Sequence, residues 1–138
     1  MTRVVLDTNV IVSALISPFG NEAQVLGAVL SGRVAPCMTR EILAEYMEVL
    51  ARPKFGFSKP QIESLTEMLR ARGLRCKPGI IEVASPDPAD MPFIVCAMAS
   101  NAEFLVTGNK RHFPESFYGR ARVVSAREML DLLHKEPL

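Results

Sequence analysis

The sequence predicts an α/β fold built on a mainly parallel sheet of five strands, and two features of the chain lead to this class. Short apolar runs rich in β-branched residues alternate with segments whose apolar residues recur at helical spacing. Each gap between successive runs is also long enough for the crossover that parallel strands require. Since the chain has 138 residues, we expect residues 1–138 to form a single domain.

Five strands and six helices follow from this pattern. The predicted strands are Arg3–Leu6, Val34–Met38, Ile80–Val83, Phe104–Thr107 and Arg122–Val124. The predicted helices span residues 10–16, 21–31, 40–51, 58–72 and 91–100, and a last one begins after Ser125 and ends before Pro137. Pro36 weakens the prediction of the second strand, since proline is unusual inside a sheet.

Polar residues mark the starts of several of these helices. Asn21 and Thr39 are placed to cap the second and third helices. The remaining signals are the capping-box pairs Ser58–Gln61 and Ser125–Glu128. These caps set the amino-terminal limits of the predicted helices.

The composition is that of a globular protein, with 49% apolar and 22% charged residues. The net charge of +1 neither demands nor excludes a polyanionic partner, so the distribution of charge matters more than its sum. Three cysteines without a CxxC pair are expected to be buried, reduced thiols, as is usual in the cytoplasm. The sequence shows no signal-peptide pattern and no run near the ~20 apolar residues of a membrane span, so a soluble cytoplasmic protein is expected.

Asp7 is the first candidate functional residue. It comes directly after the predicted strand Arg3–Leu6 and before a helix. The chain therefore places its carboxylate at the carboxyl edge of the sheet, where open α/β folds bind their ligands. Capping of the following helix is the ordinary structural role for an aspartate at this position.

Two further acids can reach the same edge. At about 100° per residue, Glu45 lies at the border of the apolar stripe of its helix, whereas Glu41 and Glu48 lie on the solvated face. Asp90 precedes the helix at 91–100 and could act as its N-cap, and Asp87, before a proline, reads as a turn residue. Carboxylates that gather at one edge repel one another unless a cation joins them, and such oxygen ligands suit Mg²⁺ or Mn²⁺.

These residues, in this order, resemble the PIN-domain nucleases, and in particular the PIN toxins of bacterial and archaeal toxin–antitoxin pairs. The resemblance extends from about residue 3 to about residue 114, and residues 122–132 fit the closing strand and helix of the family. The matching stretches are Val4–Val10, Glu45–Leu50 with Arg52–Phe55, Asp87–Phe93 and Phe104–Asn109. The resemblance implies an α/β/α sandwich and a metal-dependent endoribonuclease that leaves a 5′-phosphate.

The resemblance also implies roles for individual residues. Asp7, Glu45 and Asp90 correspond to the catalytic, metal-binding acids of the family. Thr8, Asn9 and Thr107 fall where the family places polar groups that steady the acids or a metal-bound water. A fourth acid is common where this chain has Asn109, which keeps an oxygen ligand but loses a charge, so weaker binding of a second ion is expected. Asp87 and Glu115 are the acids that could replace that charge.

Cationic residues flank the predicted site. The candidates for contact with the RNA backbone are Arg52, Lys54, Lys110 and Arg111. Phe55 and Phe57 lie beside the first pair and could stack on unpaired bases, although a solvated loop is the ordinary interpretation of each cluster. His112 is interpreted as a loop residue, because a metal-bound water makes a histidine base unnecessary.

Three functions remain open from the sequence. The leading hypothesis is a metal-dependent ribonuclease that acts as a toxin, and the alternative is a catalytically weak module that binds RNA or an antitoxin, suggested by Asn109. A receiver-like or phosphatase domain with Asp7 as phosphoryl acceptor ranks last, since no second aspartate adjoins Asp7. The apolar helix at 21–31 and the segment at 58–72 could pack in the core or form a surface for an antitoxin or for a homodimer or higher oligomer.

Overall fold

The protein is a three-layer α/β/α domain whose sheet has the strand order β3-β2-β1-β4-β6-β5. The structure, a computed structural model, describes residues 2–77 and 87–135. Within these residues, the strands are β1 Thr2–Leu6, β2 Val34–Met38, β3 Leu74–Arg75, β4 Phe104–Val106, β5 Phe117–Tyr118 and β6 Ala121–Val124. The helices are α1 Thr8–Ile16, α2 Asn21–Leu30, α3 Arg40–Leu50, α4 Lys59–Arg72, α5 Met91–Ala99 and α6 Ala126–Lys135.

The fold class and all six helices are confirmed, but the predicted number of strands is wrong. The described residues contain six strands, because the two-residue strands β3 and β5 were not predicted. β5 runs antiparallel to β6, whereas the other pairings are parallel. Such short edge strands have no room for a periodic pattern. The strand predicted at Ile80–Val83 lies outside the described residues.

β1 is a central strand because its last three residues are apolar on both faces. Val4, Val5 and Leu6 are fully buried, as in parallel strands covered by helices on both sides. α5 packs against β1, β2 and β4, and α6 packs against β4 and β6. The hydrophobic core therefore fixes the position of β1 and of the residue that follows it.

The position of β3 explains how the sheet accommodates Pro36 inside β2. The carbonyl of Met38 points toward β3, where it accepts a hydrogen bond from the backbone N–H of Cys76 at 3.1 Å. The nitrogen of Pro36, two residues earlier, faces the same side. β3 pairs only with Cys37 and Met38, so no ladder hydrogen bond is lost at the proline.

The helix starts agree with the predicted caps, with one exception. Thr39 accepts a hydrogen bond from the Ile42 N–H at 3.1 Å, and both predicted capping boxes form. The prediction for α2 is wrong by one residue, because Gly20 is the N-cap and Asn21 is the first helical residue.

The three cysteines are free thiols, as expected. Cys37 and Cys96 are buried, whereas Cys76 is only half-buried, so the prediction that all three are buried is wrong for one of them. The Sγ atoms of Cys76 and Cys96 are 3.4 Å apart. Within the described residues, no helix is long and apolar enough to span a membrane.

Gly73 is required where α4 meets β2. A Cβ at this position would lie 2.5 Å from the Leu69 carbonyl oxygen and 2.9 Å from that of Pro36. We expect Gly73→Ala to lower the free energy of unfolding by about 1–3 kcal/mol, since neither backbone atom can move aside cheaply. Gly27→Ala is the matched control, because a Cβ in this mid-helix position meets nothing within 4 Å. This substitution should raise the free energy of unfolding by about 0.5–1 kcal/mol. Urea denaturation checks both values, and an unchanged midpoint for Gly73→Ala would contradict the argument.

Candidate active site

Asp7 lies where the carboxyl ends of β1 and β4 meet. Its backbone N–H donates to the Val106 carbonyl at 2.9 Å, and its Oδ2 accepts a hydrogen bond from Thr107 Oγ1 at 2.8 Å. The residue is only 7% exposed and makes no capping hydrogen bond to α1. The side chain is therefore held toward the sheet edge, where it is close to the Thr8 N–H but does not make the hydrogen bond of a helix cap.

Two predicted supporting residues hold the segment after β4 in place. Asn9 Oδ1 accepts a hydrogen bond from the Gly108 N–H at 3.0 Å. Thr107 Oγ1, besides donating to Asp7, accepts a hydrogen bond from the Asn109 N–H at 3.1 Å. The loops after β1 and β4 are thus connected by side-chain hydrogen bonds on both sides of Asp7.

Glu45 is brought to the same edge by α3. The hydroxyl of Thr8 donates to Glu45 Oε2, which ties the glutamate to the residue next to Asp7. The neighbouring Tyr46 is fully buried, and its hydroxyl donates to the Leu6 carbonyl. The sequence gives no sign of this contact, because only the packing of α3 shows that a strand-end carbonyl lies opposite the Tyr46 hydroxyl.

Asp90 lies in a 3-10 turn, Pro88–Asp90, that leads into α5. It is 6% exposed and makes no capping hydrogen bond to the helix. Its Oδ2 is buried without a hydrogen-bond partner among the described residues. Its Oδ1 lies 3.9 Å from Nδ1 of His112, a contact that the sequence does not predict.

The three carboxylates influence one another electrostatically. Burial is the main reason that the pKa of Asp7 is raised; the Thr107 hydroxyl and the Thr8 backbone N–H oppose this, and the charges of Asp90 and Glu45 add to it. Burial likewise raises the pKa of Asp90, whereas His112 lowers it and Asp87 and Glu45 raise it. A cation placed among these groups would relieve both the desolvation and the repulsion.

The acids offer the donors that a hydrated divalent ion requires. Within the described residues, no three His, Cys, Asp or Glu side chains stand close enough to form a metal site by themselves. Mg²⁺, however, keeps several waters and commonly takes only one or two carboxylates. Asp7 and the unpartnered Oδ2 of Asp90 fit such a site, since both are hard oxygen donors buried at one sheet edge.

The other two predicted metal ligands have local hydrogen-bonding roles. Glu45 accepts from Thr8, and Asn109 Oδ1 accepts from the Arg111 N–H at 3.2 Å, which caps the short 3-10 turn Lys110–His112. Asp87 caps the turn before α5, where its side chain accepts from the Ala89 N–H at 2.9 Å. Metal binding by Glu45 and Asn109 stays a prediction.

The predicted RNA-contacting cations differ in what they already contact. Arg52 forms an exposed ion pair with Glu48 at 3.0 Å, and Lys54 lies 5.0 Å from the centre of the Phe55 ring. Lys110 pairs with Glu128 and is the main reason that the pKa of Glu128 falls to about 2. Arg111 is exposed and directly precedes His112, which lies 3.9 Å from Asp90. Their contact with RNA stays a prediction.

An apolar groove lies away from the acids, where α1, α2 and α4 meet. It has a volume of about 610 Å³, and its lining includes Leu15, Leu26, Leu30, Leu65 and Met68. Leu30 is 57% exposed. The two segments singled out in the sequence for their apolar content therefore contribute to the core and also to an open surface.

Comparison with known proteins identifies the fold. A family model described as PIN domain matches residues 3–111. Among solved structures, the chain resembles one in the crystal structure of VapBC2 from Rickettsia felis bound to a DNA fragment from their promoter. The two chains are 16% identical with a TM-score of 0.59, over 90% of this chain and 98% of that one, so the likeness shows the fold alone. Comparison with curated proteins gave no significant match.

Asp7→Asn should raise the thermal unfolding temperature at pH 7 in EDTA by a few degrees, since about 1 kcal/mol corresponds to roughly 3–6 °C in a domain of this size. The folded-state pKa of Asp7 is raised above its ordinary value of 3.8, so ionisation favours the unfolded chain. This cost is complete above the folded-state pKa and absent below 3.8, so the gain should vanish at pH 3.

The control for this measurement is Asp131→Asn, which removes an exposed carboxylate on α6 and should leave the unfolding temperature unchanged at both pH values. Differential scanning calorimetry of the three proteins at both pH values gives the measurement. If Asp7→Asn unfolds at a lower temperature than wild type at pH 7, the charge of Asp7 is not a net cost to the fold.

Proposed function

The chain belongs to the PIN-domain family, and on that premise we propose that it is a divalent-metal-dependent endoribonuclease that acts as the toxin of a toxin–antitoxin pair. Members of this family are generally metal-dependent nucleases. The observation that carries the proposal is the convergence of Asp7, Glu45 and Asp90 at one edge of the sheet, where Asp7 and Asp90 are buried and burial raises the pKa of each.

The three acids have two tasks in this proposal. Asp7 and Asp90 hold Mg²⁺ or Mn²⁺, which when bound activates a water and neutralises charge that develops on the phosphodiester. Thr107 fixes the orientation of Asp7 through its hydrogen bond to Oδ2. Thr8 holds Oε2 of Glu45, and we assign Oε1 of the same carboxylate to accept a proton from the attacking water.

His112 and Arg111 complete the arrangement on the side of β4. His112 lies 3.9 Å from Asp90 Oδ1 and lowers the pKa of that carboxyl, so it helps to keep Asp90 ionised and able to bind a cation. Arg111 is exposed next to it and is placed to contact the phosphate backbone of an RNA strand, whose affinity depends on such cations. Asn109 caps the turn that carries both residues, through its hydrogen bond from the Arg111 N–H.

Incubation of the purified protein with a labelled structured RNA tests the activity. Cleavage should require Mg²⁺ or Mn²⁺ and stop in EDTA. Asp7→Asn and Asp90→Asn should each lower the rate by roughly a hundredfold or more, the scale of a lost acid–base or charge contribution. Asp131→Asn, a carboxylate on the surface of α6, should cut like wild type.

The outcomes separate the leading function from its alternative. Cleavage that persists in both variants would point to a contaminating nuclease and end the proposal. If wild type is silent but Asn109→Asp cuts RNA, the chain is the weak RNA- or antitoxin-binding module, and the fourth charge is what it lacks.

For the partner, we propose that the groove between α1, α2 and α4 binds an apolar helix of the antitoxin. The groove is open and lined mainly by apolar side chains, which is how amphipathic helices are recognised. The resemblance to PIN toxins implies such a partner, and the structurally similar chain comes from a VapBC2 assembly.

Leu30→Glu should abolish this interaction because it places a charge in the groove, whereas RNA cleavage by the isolated protein should be unchanged. Co-expression with the product of the gene immediately upstream gives the measurement, as relief of growth arrest and co-purification. Gln24→Glu is the control, since it adds the same charge at an exposed position of the same helix outside the groove lining. Its toxicity should still be neutralised by the co-expressed partner. If Leu30→Glu is also neutralised but changes a dimer into a monomer, the groove joins two copies of the chain and the proposal is wrong.

A further inference from the structure

A second cavity lies beside β6 and reaches the turn Lys110–His112, whose His112 lies 3.9 Å from Asp90. It has a volume of about 570 Å³ and is lined by residues of the turn at 110–112, the following loop, β5, β6 and α6. Lys110, at one end of the lining, is three residues after Thr107, which donates its hydrogen bond to Asp7. The cavity is thus continuous in sequence with the candidate active site but contains none of the three acids.

The outer wall of this cavity includes an aromatic side chain, Phe117, and a neighbouring arginine, Arg122. Phe117 and Arg122 are direct cross-strand partners in the antiparallel pair β5–β6, so their side chains lie on the same face of the ribbon, and both line the cavity. The next pair, Tyr118 and Ala121, is buried on the opposite face. Since Tyr118 already anchors the ribbon in the core, the packing of β5 does not account for Phe117, which is 56% exposed.

The charged residues that line the cavity do not favour binding of an isolated phosphate group, because cations and carboxylates lie together there. Lys110 and Glu128 form an ion pair, and the exposed Arg122 is accompanied by Glu115 in the lining. The cavity therefore offers hydrogen-bond donors and acceptors together with an aromatic face. Unpaired RNA bases are recognised by this combination, through stacking on aromatic rings or arginine planes and hydrogen bonds to the base edges.

We propose that this cavity binds a base of the RNA strand close to the cleaved phosphodiester, with the base stacked on Phe117 and Arg122 beside it. The cavity volume lies within the range of about 300–1,000 Å³ typical of small-ligand sites. The inference rests on the proposed function, since it assumes that RNA enters the site at Asp7. It assigns substrate selection to the β5–β6 ribbon, whose residues take no part in holding the metal.

Fluorescence anisotropy with a labelled 12-nucleotide single-stranded RNA tests this proposal, with all variants made on Asp7→Asn so that the probe stays intact. Phe117→Ala should weaken binding about tenfold, within the range found for loss of a base–aromatic stack. Phe117→Tyr should restore it. Phe19→Ala is the matched control, because Phe19 is 96% exposed in the turn beyond the far end of α1 and should bind RNA unchanged.

The salt dependence separates stacking from charge. Phe117→Ala should leave the slope of log affinity against log salt concentration unchanged, whereas Arg122→Gln should weaken binding and reduce the slope by at most about 0.7. A set of probes, each with one abasic position, locates the bound base. At one position the missing base should weaken binding to the parent protein, whereas the same probe should bind Phe117→Ala no more weakly than the intact probe does.

The outcomes also separate this inference from the proposed function. Equal RNA affinity of Phe117→Ala and Phe19→Ala would overturn the base site, even if wild type cuts RNA with metal. If Phe117→Ala loses RNA affinity but the wild-type protein does not cut RNA in the cleavage assay, the base site is supported and the nuclease proposal is wrong. Circular dichroism confirms that each variant is folded, and no RNA binding by any folded form would overturn both.

Discussion

The hydrogen bond between Thr107 and Asp7 is the contact on which the site depends. It joins the carboxyl ends of two adjacent parallel strands, β1 and β4, at residues 100 positions apart in sequence. Asn9 and the Gly108 N–H join the same two loops from the other side. Because the core fixes both strands, the carboxylate of Asp7 cannot turn toward solvent, and every other acid of the site is placed relative to it.

The carboxylates of Asp7 and Asp90 are buried at positions where their charges do not stabilise the folded protein. Asp7 and Asp90 are buried and repel each other and Glu45, and Asp90 Oδ2 has no hydrogen-bond partner within the described residues. The surrounding contacts compensate for this: Tyr46 anchors α3 on the end of β1, and Thr8 holds Glu45. These anchors hold together carboxylates whose arrangement is electrostatically unfavourable unless a cation joins them.

The surface around the acids is divided between two kinds of contact. Arg52, Lys54 and Lys110 are satisfied by Glu48, Phe55 and Glu128 respectively, so their positions are determined within the protein. Phe117 and Arg122, by contrast, are exposed on a ribbon that is held from its other face by Tyr118. In our proposal a substrate strand contacts Arg111 near the cleaved bond and reaches its selective contacts, Phe117 and Arg122, on the ribbon.

The sequence by itself determined the helices, most of their caps, the buried strands β1 and β2, and the acids that reach the sheet edge. These features depend on local chemistry: the spacing of apolar residues, capping side chains, and a carboxylate directly after a buried strand. The cap of α2 and the short strands β3 and β5 were missed, because two residues carry no periodicity and Gly20 carries no capping side chain. Only the tertiary structure decided the strand order, the approach of His112 to Asp90, the bond from Tyr46 to Leu6 and the pairing of Phe117 with Arg122. Those contacts join parts of the chain that only packing brings together, and the residues themselves give no local sign of their partners.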